Sequence, residues 1–140
     1  MAEAASKSSP MPARPVVRPL SPHLQIYRPM LTMMMSIAHR ITGIGLYAGT
    51  LLLAWWLIAA STNAAAFALA SGFLASIFGR LILFGFTWAL FHHLLGGLRH
   101  FIWESGRGME NPQREYLAQG TLIGGIALTI LVWIAAYFVR

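Results

Sequence analysis

The residues of this chain that could do chemistry are its histidines and arginines, set in unusually apolar surroundings. In the string His93-Leu94-Leu95-Gly96-Gly97-Leu98-Arg99-His100 an imidazole lies well inside a long apolar segment. Burying such a group costs free energy, so an ionisable side chain at membrane depth reads as a functional residue, and histidine is well suited to ligate a haem iron. A second cluster, Ser36-Ile37-Ala38-His39-Arg40, opens the first apolar segment. With no cysteine in 140 residues, disulfides, zinc-thiolate sites and iron-sulfur ligation by this chain are excluded. Any metal must be held by histidine or carboxylate.

Helical spacing decides which of these groups can act together. His93, Gly97 and His100 fall at i, i+4 and i+7, so one face carries an imidazole, a gap one turn below it, and a second imidazole. A flat macrocycle needs such a gap. His92 points about 100° away from His93, where it can pair with a neighbouring helix or a propionate. Arg99 and His100 suit anionic propionates by charge. Ser36, His39, Arg40 and Gly43 fall at i, i+3, i+4 and i+7, which puts a hydroxyl, an imidazole, a guanidinium and a backbone gap on one stripe able to grip a polar headgroup. Spacing also admits plainer roles: an interhelical hydrogen bond from His93, a close helix contact at Gly96-Gly97, lipid phosphates on Arg40, and His39 capping a neighbouring helix.

The elements that must position these groups follow from composition. At 57% hydrophobic and 10% charged residues, the chain reads as an integral membrane protein. Its net charge of +6 comes from cations that flank apolar spans rather than line one face, which points to membrane topology and away from nucleic acid. Three stretches, near 37–60, 73–103 and 117–138, can each cross a ~30 Å hydrocarbon core at ~1.5 Å rise per residue. The expected fold is all-α, with three transmembrane helices. Trp55-Trp56 reads as an interfacial pair, Ser61-Thr62-Asn63 as a turn, the alanine-rich 64–76 as the loop and the start of the second helix, and Arg80 as a snorkelling side chain. Residues 1–28 are expected to form a flexible tail and 29–140 the three-helix domain. No apolar h-region precedes Arg28, so no secretory signal is expected, and Glu3 weighs against a transit peptide.

Lys7, Arg14, Arg18, Arg28 and Arg40 precede or open the first span, Arg99, Arg107 and Arg114 lie at or in the second connection, and the first connection has no cation. The positive-inside bias then puts the N-terminus and the second connection in the cytoplasm, or in the matrix of a mitochondrion, with the C-terminus outside.

Three motifs in order carry a family resemblance: Arg18-Pro19-Leu20-Ser21-Pro22-His23-Leu24-Gln25-Ile26-Tyr27, then Ser36-Ile37-Ala38-His39-Arg40-Ile41-Thr42-Gly43, then His93 to His100. Together they resemble the cytochrome b membrane-anchor family of succinate dehydrogenase, from about residue 18 onward, although the third helix carries no motif and matches in hydropathy alone. The resemblance implies a chain forming half of a heterodimeric anchor bundle. His93 matches the axial ligand of a b-type haem whose other axial histidine belongs to the partner anchor subunit, and the HxxxGxRH spacing selects it over His92. Ser36 and Arg40 match residues lining the ubiquinone pocket. His39 and Arg40 fall close to the haem propionates, the vicinity to which Arg99 and His100 are assigned by charge. Glu104 departs from the commoner aspartate after Trp103 but keeps its charge.

The resemblance further implies an iron-sulfur subunit and a flavoprotein subunit as partners, and passage of electrons from succinate to quinone in a bacterial inner membrane. This chain would do no carbon chemistry itself, and Tyr27 and His23 would be interface contacts. Two relatives of this reading are a haemless structural anchor and the anchor of a quinol:fumarate reductase. A proton-linked transporter would carry repeats and more spans, and the sequence shows no internal repeat.

Overall fold

A computed structural model describes residues 27–139. Most of the expected tail, with His23 and all of the first motif but Tyr27, lies outside the described residues. Within them the chain forms α1 (Leu31–Thr62), α2 (Ala64–Ala75), α3 (Ile77–Glu104) and α4 (Gln113–Val139). Helices α1, α3 and α4 are each long and apolar enough to cross a membrane, which bears out the all-α, three-span expectation. The physical reason is that hydrocarbon offers no hydrogen bonds, so each backbone N–H and C=O must be satisfied inside its own segment.

Two boundaries differ from the sequence reading. α1 begins at Leu31, directly after the extended Met30, rather than near residue 37. Proline tolerates a place just ahead of a helix, as Pro29 has here, and the unbranched Met33-Met34-Met35 lose little rotamer freedom in one. The second correction is larger: 64–76 is not the loop and the start of the second spanning helix, for Ala64–Ala75 forms a helix of its own. Asn63 breaks α1 with an extended φ of −167°, and its Oδ1 accepts the Ala66 N–H at 2.8 Å. At the other end the Ser76 Oγ accepts the Gly79 N–H at 3.1 Å. Alanine has the highest helix propensity, so a run of it between two good capping residues folds as a separate helix. A side chain on Gly79 would overlap the Phe73 carbonyl and stand 2.6 Å from Leu74 Cα. Glycine therefore lets α3 leave this close to the last turn of α2.

α3 packs between α1 and α4. Lipid tails are as apolar as leucine, so spanning helices associate through close packing at small residues. A Cβ on Gly125 would come within 3.3 Å of His92 Cα, and one on Gly124 within 2.8 Å of the Leu95 side chain, so these two glycines bring α4 against the backbone of α3. Above them the Trp133 indole N–H donates to Thr87 Oγ1 at 3.4 Å, and its ring meets Phe84 edge-on. On the other side, Gly49 of α1 leaves room for the Phe86 ring.

α2 is fastened to α1 by Phe67 against Trp56 and Phe73 against Trp55, each with ring centroids 5.8 Å apart. The connection from α3 to α4 turns through Gly106 and Gly108, whose φ of 76° and 74° side chains rarely adopt, and Trp103 Nε1 donates to the Gly108 carbonyl at 3.1 Å. Most large apolar side chains stay exposed, Ile44 and Tyr47 among them, the arrangement expected of helices whose solvent is lipid.

Candidate functional site

α1 and α3 run antiparallel, so Gly43 faces His93 and Gly49 faces Phe86. The pairing builds two reciprocal seats. The His93 ring fills the space left by Gly43, where a Cβ would stand 3.0 Å from its Cε1, and the His39 ring fills the space left by Gly96, where a Cβ would overlap its Nδ1. Seated in this way the two imidazoles stack face to face, with centroids 3.9 Å apart and planes 7° from parallel. His100 lies beside His39, centroid to centroid 5.5 Å, and edge-on to Trp103 at 5.3 Å.

The orientation of His93 is set by main chain. Its Nδ1 lies 3.0 Å from the His39 carbonyl oxygen, with Thr42 Oγ1 at 3.4 Å. The Thr42 hydroxyl itself lies 2.9 Å from each of the Ala38 and His39 carbonyls. A carbonyl can only accept, so Nδ1 carries the proton, and in the neutral ring Nε2 keeps its lone pair. A histidine that ligates a metal through one nitrogen and donates its other N–H to a carbonyl has this arrangement. His39 cannot serve as the ligand on the far side of a metal held by His93, because the rings are stacked flat against each other. Among the described residues no group of three or more potential ligands gathers.

The two predicted stripes meet: His39, His93 and His100 come together, and Ser36 and Arg40 continue along α1. Ser36 is half-buried and Arg40 exposed, and among the described residues neither side chain has a hydrogen-bond partner. Arg99 is not brought into this cluster. It is 2% exposed, lies on the opposite side of α3 with its guanidinium 5.0 Å over the Trp103 ring, and borders a cavity of about 200 Å³ against Leu117 and Thr121 of α4. His92 is fully buried against Gly125, with its ring beside Trp88. The gap over Gly97 is open, with no neighbouring atom within 4 Å of its missing Cβ. Sequence reasoning missed Thr42 and the seat at Gly96. A small hydroxyl residue three positions after His39 was the available signal for the first.

The family described as succinate dehydrogenase/fumarate reductase transmembrane subunit matches residues 14–134. The chain is similar to the succinate dehydrogenase cytochrome b556 subunit of Paracoccus denitrificans, 46% identical over 120 residues that cover 86% of this chain and 92% of that protein. It is 37% identical over 117 residues to the protein of the same name from Rickettsia bellii, covering 84% of this chain and 91% of that one. To the mitochondrial succinate dehydrogenase cytochrome b560 subunit of Sus scrofa it is 41% identical over 98 residues, 69% of this chain and 58% of that protein. A match across nearly all of α1 to α4, in a chain whose helices bring the motif histidines together, places this protein in the family of succinate dehydrogenase/fumarate reductase transmembrane subunits.

Proposed function

We propose that this chain is the cytochrome b anchor of a succinate dehydrogenase, in which His93 Nε2 would hold the iron of a b-type haem and Ser36 and Arg40 would meet ubiquinone. The observation that carries this reading is the 3.0 Å approach of His93 Nδ1 to the His39 carbonyl, which aims the ring and leaves Nε2 as donor. The cytochrome b names of the relatives support it too. When bound, the haem supplies a one-electron redox centre. His93 binds it, the His39 carbonyl orients the ligand and raises its basicity, and the open surface over Gly97 leaves room beside it. A further histidine for the iron would be supplied by a second anchor subunit. His39, Arg40 and His100 would meet the propionates by charge, and the buried Arg99, over Trp103 on the other side of α3, would act as a more distant positive charge.

Ser36 and Arg40 are donors suited to quinone reduction. Negative charge builds on a quinone oxygen as it is reduced, and a hydroxyl and a guanidinium fixed nearby in a low-dielectric site stabilise that charge. Electrons arrive from an iron-sulfur subunit fed by a flavoprotein that oxidises succinate, and protons from the adjacent aqueous face. The complex sits in a bacterial inner membrane, with the N-terminus and the Gly106–Pro112 connection cytoplasmic. No charged residue lies between Ile41 and Gly79, whereas Arg28, Arg40, Arg107 and Arg114 gather at the other end of the bundle.

The complex captured through a tag on this chain is expected to bring down its partner subunits and to show a b-type band in a dithionite-reduced minus oxidised spectrum. Partners without that band would leave a haemless anchor. In the same complex Arg40→Ala should lower quinone reduction by roughly 100-fold, the usual cost of removing one such donor, and leave succinate oxidation by an artificial acceptor intact. Equal loss of both activities would make Arg40 an assembly residue.

A further inference from the structure

α2 joins α1 to α3 at the end of the bundle opposite Arg40 and Arg107, with Arg80 in the first turn of α3 as the nearest cation, bordering a cavity with Leu74 and Ala75. It lies inside the charge-free run from Ile41 to Gly79, and Ser71 is its only side chain capable of hydrogen bonding. One side is covered by its own chain: Ala70 is fully buried, and Phe67 and Phe73 rest on Trp56 and Trp55. The other side is bare and apolar. Leu69 is 70% exposed, and it continues into Ile77 and Phe78 at the start of α3, at 77% and 75%. A connecting segment in water would be expected to be polar, and a helix lying on a membrane surface normally shows charge to water along one face. α2 has no such face.

The breaks at its two ends are an independent observation. In water the freed backbone groups could be hydrated, whereas in hydrocarbon each unsatisfied group costs several kcal/mol. At each break part of the freed backbone is taken up from within. At the first, Asn63 Oδ1 takes the Ala66 N–H and its carbonyl takes the Phe67 N–H at 3.1 Å. At the second, the Ser76 N–H donates to the Gly72 and Phe73 carbonyls at 3.1 Å, its hydroxyl donates to the Phe73 carbonyl at 2.6 Å, and its carbonyl accepts the Arg80 N–H at 2.9 Å.

We propose that α2 is a lipid-embedded helix: it lies within the leaflet at this end of the bundle, below the headgroups, with phospholipid acyl chains covering Leu69, Ile77 and Phe78. The lipid-facing surfaces of α1 and α3 continue without interruption across it, and α2 acts as a float that sets how deeply their ends sit.

Because the chain has no cysteine, a single introduced one reports on one position even in the presence of other subunits, when read as a gel shift of this chain through its tag. Leu69→Cys, and Ala68→Cys should the first fail to assemble, are made in the intact complex in phosphatidylcholine nanodiscs, which leave both membrane faces open to reagent. A polymer-linked maleimide is expected to give no shifted band in nanodiscs and complete labelling once they are dissolved in dodecyl sulfate. Nanodiscs carrying an acyl-chain diazirine phosphatidylcholine are then expected to yield a lipid adduct within α2 by mass spectrometry. Ready labelling in nanodiscs would place α2 in water and overturn the proposal. Protection without a lipid adduct, or with a crosslink to another protein, would overturn it equally by showing that a partner covers this face.

Discussion

Replacing His93 by alanine is expected to remove the b-type haem band entirely, from a complex that still assembles. The ring's shorter polar contact is to the His39 carbonyl, with the Thr42 hydroxyl beyond it at 3.4 Å, and it stacks on one neighbour. Its loss leaves a carbonyl that the Thr42 hydroxyl already approaches at 2.9 Å, so no acceptor is stranded, and the α3–α4 interface on the other side of the helix is untouched. The comparison that gives the experiment its force is His92→Leu. His92 is fully buried and, among the described residues, neither of its ring nitrogens has a partner. An apolar side chain of similar volume should therefore be tolerated, because an unsatisfied polar group costs about 1–3 kcal/mol where it is buried. Haem should be retained in His92→Leu and lost in His93→Ala. The opposite pattern would transfer the ligand to His92, and a band in both variants would remove the haem from this chain.

The second large effect is expected at Gly79, where a methyl group would be aimed at backbone. The atoms it would meet are the Phe73 carbonyl and Leu74 Cα, and main chain cannot swing aside as the end of a side chain can. Gly79→Ala must push α2 and α3 apart at their junction, at the roughly 1–3 kcal/mol or more that overpacking costs. Gly72→Ala is the natural control. It lies in the same short helix with no neighbouring atom within 4 Å, and removing a helical glycine gains up to about 1 kcal/mol of propensity. Thermal melting of the detergent-solubilised complex, followed by loss of this chain from it, should fall for Gly79→Ala and hold or rise for Gly72→Ala. Equal behaviour would mean that α2 and α3 do not meet this closely.

What the sequence made legible was angular. His92 and His93 are neighbours in the chain, yet a 100° step separates them, and they do face different helices, one against α4 and the other against α1. The stripe from Ser36 to Gly43 was visible for the same reason. Arg99 shows what happens when another cue displaces the angle. Grouped with the propionate side by charge, it stands seven positions after His92 and therefore shares that residue's buried side of α3. The separate helix α2 was hidden because an alanine run looks alike whether it begins a spanning helix or stands alone. The difference rests on two capping side chains, at Asn63 and Ser76, whose partners become visible only in three dimensions. Gly96 and Gly97 are likewise equivalent on paper. Which of them is filled depends on where α1 crosses, a tertiary fact that local spacing does not contain.

The link between the two motif-bearing helices is made through main chain, since the group that fixes the His93 ring is the carbonyl of residue 39 and not its side chain. A replacement at that position would remove the stacked ring but keep the oxygen. The contact yields only to displacement of α1 as a body. Ser36 and Arg40 stand on that same helix within a turn of His39, so any shift of α1 at those two residues is passed to the ring through its carbonyl tether.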